Sequence, residues 1–178
     1  AAFASYIKSI LAGKTKPHVF SWMIWGVATF IVFLASFSDK GGAGSWAIGF
    51  SALVTLSIAV LAYSKKADIT ITKADWLFFI IALSAIPIWY ITSNPLWAVI
   101  ILTSIDLVAY FPSIRKAYHK PYEEQMFLYA IMSIRNLLSI MALEHYSLTT
   151  LLFPVVVTIV NTIFISMVLV RRKRLAPI

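Results

Sequence analysis

The sequence predicts an all-α, polytopic membrane protein of seven transmembrane helices, the first of them truncated. Three observations carry this reading. Hydrophobic residues make up 61% of the chain and charged residues only 12%, against about 45–50% and about 25% in soluble domains. Six apolar stretches approach the ~20 residues that a bilayer-spanning helix requires. The lysines and arginines fall almost entirely between alternate pairs of those stretches. A soluble enzyme or a disordered module is excluded, because a chain of 178 residues cannot hide so much apolar surface within itself, whereas lipid removes the need to hide it. The absence of cysteine excludes disulfides, thiol nucleophiles and thiolate metal sites.

The first element, Ala1–Leu11, is apolar apart from Ser5, Tyr6, Lys8 and Ser9. At 1.5 Å per residue it reaches only ~17 Å, about half the hydrocarbon core, and it reads as the tail of a helix that begins upstream. A basic loop with Lys14, Lys16 and Pro17 leads into Val19–Ser38. The run Gly41-Gly42-Ala43-Gly44 then turns the chain into Ser45–Tyr63. The remaining spans are Ala74–Thr92, Leu96–Ser113, Glu124–Leu143 and Ser147–Val170. Pro154 interrupts the last of these and frees a carbonyl that neighbouring groups must satisfy. Trp46, Trp76, Trp89 and Trp97 fall near span ends, where amphipathic rings sit at the headgroup level.

With seven helices, one face receives Lys8, Lys14, Lys16, Lys65, Lys66, Lys73, Arg115, Lys116, Lys120 and Arg171 to Arg174, while the other receives Lys40 alone. The positive-inside rule makes the crowded face cytoplasmic, which puts the N-terminus outside and the C-terminus inside the cell (inner) membrane. The net charge of +8 is then orientation charge beside anionic headgroups. The partner it implies is the lipid bilayer, and nucleic acid has no part.

Sliding the chain on itself by 104 residues superposes Tyr6 on Tyr110, Ser9 on Ser113, Ile10 on Ile114, Lys16 on Lys120 and Pro17 on Pro121, and sets Trp22 and Trp25 opposite Met126 and Tyr129. Both halves read as helix, basic loop ending in Lys-Pro, then helix with a bulky stripe. Two three-helix repeats of the same orientation need an inversion helix between them. The organisation is therefore 1–63 for the first repeat, 74–92 for the linker helix, 96–170 for the second repeat and 171–178 for a basic tail, a 3+1+3 bundle of parallel repeats related by an axis along the membrane normal. This layout, with Pro112-Ser113-Ile114-Arg115 running into a basic loop, resembles the PQ-loop superfamily, which holds the SWEET sugar facilitators, the half-size SemiSWEETs and nicotinamide riboside transporters. The resemblance spans nearly the whole chain in architecture, and Ser113 stands where the family's glutamine follows proline. It implies a SWEET-like transporter with a hinge at Pro112 and a pore asparagine at Asn161.

Two ionisable groups lie deep in the spans. Asp106 is nine residues before Arg115, and Arg135 is eleven after Glu124, which places both ~14–16 Å from the cytoplasmic boundary on adjacent helices. A charge at mid-membrane costs ~2.5–3.5 kcal/mol on insertion scales, so an Asp106–Arg135 ion pair is expected, as a static clamp or as a pair that substrate or a proton breaks, and Arg135 can also donate to carbonyls or to Asn136. Asn161 reads either as an amide facing a pore or as interhelical glue; its repeat counterpart falls near Ser57 or Ile58. Trp22, Trp25, Met126 and Tyr129 wall a substrate pocket or simply pack helices. Glu144 and His145 are a solvated helix end or a pair at an entrance. No catalytic constellation, metal site or cofactor fingerprint emerges, and the last span has no lysine for a retinal Schiff base. The expected function is a facilitator or secondary transporter of a small polar organic solute (a sugar, nucleoside or vitamin-like molecule) by alternating access between the repeats. The alternative is a non-transporting scaffold or accessory subunit of a larger membrane complex; one pore needs no homo-oligomer, though one is compatible with either reading.

Overall fold

The computed structural model describes residues 2–12, 18–65, 69, 71–119, 121–123 and 126–175. The architecture is all-helical: α1 (Ala2–Leu11), α2 (Val19–Ser38), α3 (Gly42–Ser64), α4 (Lys73–Thr92), α5 (Leu96–His119), a 3-10 turn at Pro121–Glu123, α6 (Met126–Met141) and α7 (Leu148–Leu175). Lys14, Lys16, Pro17, Lys66 and Lys120, on which the basic-loop reading partly rests, lie outside the described residues. The helices α2, α3, α4 and α7 are each long and apolar enough to cross a membrane, while Leu96–Tyr110 and Tyr129–Met141 are shorter apolar stretches.

Capping explains where several helices begin. At the start of α4, Thr72 and Asp75 form a reciprocal capping box, with the Thr72 N–H donating to the Asp75 carboxylate at 2.8 Å and the Asp75 N–H donating to the Thr72 hydroxyl at 3.2 Å, which satisfies two amides that a helix start otherwise leaves without acceptors. Ser147 and Thr150 make the equivalent exchange before α7. The expected boundaries shift in two places. α6 ends at Met141, two residues before the expected end at Leu143, while residues 124 and 125 lie outside the described residues. α7 runs past the apolar stretch through Arg172, Lys173 and Arg174, because long basic side chains are good helix formers and suit the negative end of the helix dipole.

Small residues set the packing distances. α4 buries only Ala82 and Ala85, which join a core with Ala28, Ile31 and Val32 of α2, Ala98, Val99 and Leu102 of α5, and Phe153 and Val157 of α7. The outward faces are apolar instead: Phe50 is 69% exposed, Tyr90 86% and Ile91 79%. Trp46, Trp76 and Trp97 are exposed near helix ends, whereas Trp89 packs against this core. A second cluster joins Ala117, Phe164 and Val168 with Ile114, Met126 and Tyr129.

The backbones of α3 and α6 approach closely at Gly44. A Cβ at Gly44 would lie 2.5 Å from the Ser139 carbonyl oxygen and 2.8 Å from the Leu143 amide nitrogen, and the Ser139 hydroxyl donates to the Gly44 carbonyl at 2.6 Å. Both obstructions are backbone atoms that cannot step aside. Gly44→Val is expected to cost about 1–3 kcal/mol through overpacking, read as a lower Tm of the detergent-solubilised protein. Phe50→Val on an exposed face of the same helix is the control, and equal melting of the two variants would show that the α3–α6 seam is not close-packed.

Candidate functional site

Helical periodicity brings side chains from five helices to one cavity of about 250 Å³. Trp22, Trp25 and Thr29 of α2 are spaced by three and four residues and so share one helix face. The same register aligns Ser51 with Thr55 on α3, Asp106 with Ala109 and Tyr110 on α5, Tyr129 with Met132 and Arg135 on α6, and Phe153 with Val157 and Asn161 on α7. The cavity lies where α2 and α3 face α5, α6 and α7.

Asn161 is buried, at 1% exposure, and its side-chain oxygen accepts from the Tyr110 hydroxyl at 2.6 Å. Its amide nitrogen is buried with no hydrogen-bond partner. The Arg135 guanidinium donates through Nη1 to the Ser51 hydroxyl and through Nη2 to the Asn136 side-chain oxygen, which leaves Nε without a partner among the described residues. The Tyr129 ring packs tilted against Phe164 with centroids 4.4 Å apart and stands 6.4 Å from Tyr110. Trp22 and Trp25 meet edge to face at 5.8 Å.

The expected Asp106–Arg135 ion pair is not formed among the described residues. Both side chains line the cavity, but the guanidinium is held by Ser51 and Asn136 instead. Two neutral acceptors within reach, one of them on the next residue of its own helix, each take one donor from the two terminal nitrogens of the fork. Asp106 has no hydrogen-bond partner among the described residues. Met126 does not wall the cavity either: it sits on the first residue of α6 and packs into the Ala117–Phe164–Val168 cluster. Pro112 lies within the range of α5, and its side chain falls outside the description. The repeat counterparts proposed for Asn161 are not in the lining. Ser57 is exposed, with its hydroxyl turned to the Leu53 carbonyl, and Ile58 is buried. Ser51, Thr55 and Thr29, which no motif marks, supply hydroxyls to the cavity, beside the Tyr110 hydroxyl of the repeat, while Asn136 stands behind the lining and holds Arg135.

Glu144 and His145 are more than a solvated helix end. The Glu144 carboxylate accepts from the Ala43 amide at 3.1 Å, and its own N–H donates to the Gly41 carbonyl at 3.3 Å. His145 Nδ1 lies 2.9 Å from the Asp39 carbonyl, and the Ser147 hydroxyl donates to the Asp39 carboxylate. These bonds tie the α2–α3 hairpin to the α6–α7 connection at one end of the bundle. Gly42, at φ +58, takes the left-handed conformation that glycine adopts without strain. Toward the opposite end, the cavity reaches Trp22 and Tyr129 in the first turns of α2 and α6.

Comparison with family models, with curated proteins and with solved structures finds no match, so the chemistry rests on this geometry alone. The lining offers one carboxylate, one guanidinium, one carboxamide, hydroxyls and aromatic faces. No group of three or more metal-ligating side chains occurs among the described residues.

If Ser51 is a true acceptor for Arg135, Ser51→Ala strips a partner from a buried guanidinium and is expected to cost ~1–3 kcal/mol. In an Arg135→Met background the same change should cost less, giving a coupling of ~0.5–3 kcal/mol in a double-mutant cycle of unfolding. Additive effects would show that the two side chains are energetically independent.

Proposed function

We propose that the chain is a seven-helix membrane protein of 3+1+3 design which carries a small polar organic solute across the cell membrane by alternating access between its two three-helix repeats. The observation that carries this reading is the cavity between the halves, lined by charged and amide groups in a bundle whose outside is apolar. Polar groups of that kind are costly in a packed apolar interior and are useful where a wet or solute-filled space must exist. A scaffold has no use for such a space, and a solid seam would have favoured it.

The helix packing supports the repeat. In the first half α3 packs on α1 and α2, and in the second α7 packs on α5 and α6. Between halves, α2 meets α5 as α6 meets α1, and α3 meets α6 as α7 meets α2. A two-fold axis along the bundle exchanges every one of these pairs. α4 touches α2 and α5 and has no counterpart, as an inversion helix requires. Tyr6 stacks on Trp22 at 5.1 Å in the first half, as Tyr110 packs beside Tyr129 in the second.

Orientation follows from the same pattern. Lys65, Lys73 and Arg171 to Arg174 cluster at helix ends opposite the end that bears Lys40, so the end tied by Glu144 and His145 is external and the Trp22–Tyr129 end cytoplasmic. The tied external end and the cavity reaching the cytoplasmic end describe an inward-facing carrier. The Lys40 end of α3 is labelled best at Ala43, which is exposed, and the other end at Ser64, also exposed. In this cysteine-free chain, Ala43→Cys should react with an impermeant thiol reagent on intact cells and Ser64→Cys only after permeabilisation. Equal reactivity would reject the orientation.

The transport reading is tested at Asn161. A carboxamide that hydrogen-bonds solute leaves polar groups unmatched when removed, so Asn161→Ala should weaken binding by ~1–3 kcal/mol in a thermal-shift screen of sugars, nucleosides and vitamins, with little change in the unliganded Tm. Lost stability with unaltered ligand affinity would make Asn161 an interhelical strut.

A further inference from the structure

We propose that the solute is a zwitterion, a small molecule whose protonated amine meets Asp106 and whose carboxylate meets Arg135; this rests on reading the cavity as a solute site. Asp106 and Arg135 face one cavity from α5 and α6, and no ion pair joins them among the described residues. Each is therefore a charge inside the bundle without a counter-charge in contact. Burying a charge is tolerated when it is paired and hydrogen-bonded, and no described residue supplies either to Asp106. Among the described residues the guanidinium has neutral acceptors, Ser51 and Asn136.

The combination selects by charge. A simple cation drawn to Asp106 meets the Arg135 charge in the same cavity, and a simple anion drawn to Arg135 meets the Asp106 charge. An uncharged polyol or nucleoside leaves both without a counter-charge. A molecule carrying both charges neutralises both at once and keeps the site neutral overall. The volume of about 250 Å³ falls below the ~300–1,000 Å³ of drug-sized pockets, so the solute is small. Trp22 and Trp25 provide flat apolar faces for its side group, and an aromatic face near a bound amine adds cation–π attraction. An aromatic amino acid has these features.

The purified full chain in lipid nanodiscs tests this through binding-induced stabilisation. The probes are L-phenylalanine and L-tryptophan, their decarboxylated amines phenethylamine and tryptamine, the deaminated acid 3-phenylpropionate, and glucose and uridine as neutral solutes. The expected result is stabilisation by at least one amino acid. Its amine-only and acid-only analogues should bind about 30-fold more weakly or worse, the scale on which truncating one partner of a buried charge pair acts. Asp106→Asn should then erase the preference for the amine, and Arg135→Gln the preference for the carboxylate. The comparison of analogues on the unmodified protein needs no variant to fold. Stabilisation by glucose or uridine but not by either amino acid would overturn the zwitterion and leave the solute site standing. Amino-acid binding unchanged in the Asp106→Asn/Arg135→Gln double variant would also overturn it. Stabilisation by none of the probes would overturn the zwitterion, and the wider screen with Asn161→Ala then judges the solute site separately.

Discussion

A guanidinium inside a helix bundle needs acceptors within reach, and Arg135 finds them on two helices: Ser51 on α3 and Asn136 beside it on α6. That requirement fixes how the two hairpins lie together. α6 approaches α3 closely enough for Ser139 to bond the Gly44 backbone, which only a residue without a Cβ permits. Beyond that seam, Glu144, His145 and Ser147 fasten the turn between α2 and α3. On the other side of Arg135 the helices do not close, and the space between them is the cavity.

The helix pairings match between the two halves, but the chemistry of the cavity does not. The same pairs of helices meet in each half, but the carboxylate, the guanidinium and the carboxamide all come from α5, α6 and α7, while α2 and α3 contribute indoles and hydroxyls. On the proposed carrier reading, α5, α6 and α7 hold the charges of the solute while the indoles of α2 offer it flat faces.

Much of this was legible along the chain, because hydropathy acts locally. The boundaries of α2 were those of its apolar run, and a helix in an apolar environment has to satisfy its backbone internally whatever surrounds it. Depth was legible too: counting residues from the basic loops put Asp106 and Arg135 at one level, and both do line one cavity. The periodic stripe of Trp22 and Trp25 and the isolated amide of Asn161 likewise reach it.

What depth could not supply was azimuth, the direction in which each side chain points around its helix axis relative to a neighbour. That is why the expected Asp106–Arg135 bond gave way to bonds with Ser51 and Asn136, why Met126 turned into an apolar cluster while Tyr129, one turn later, reached the cavity, and why Glu144 and His145 proved to be ties rather than a free end. Ser51 and Thr55 carry no signal in sequence, since a hydroxyl in a helix so often bonds its own backbone, as Thr55 does to the Ser51 carbonyl. The sequence by itself determined which segments are helical and how apolar they are, because these depend on neighbours a few residues away. Only the tertiary structure decided which polar groups meet, because that depends on the rotation of one helix against another, which small residues such as Gly44, Ala82 and Ala85 permit and close packing then fixes.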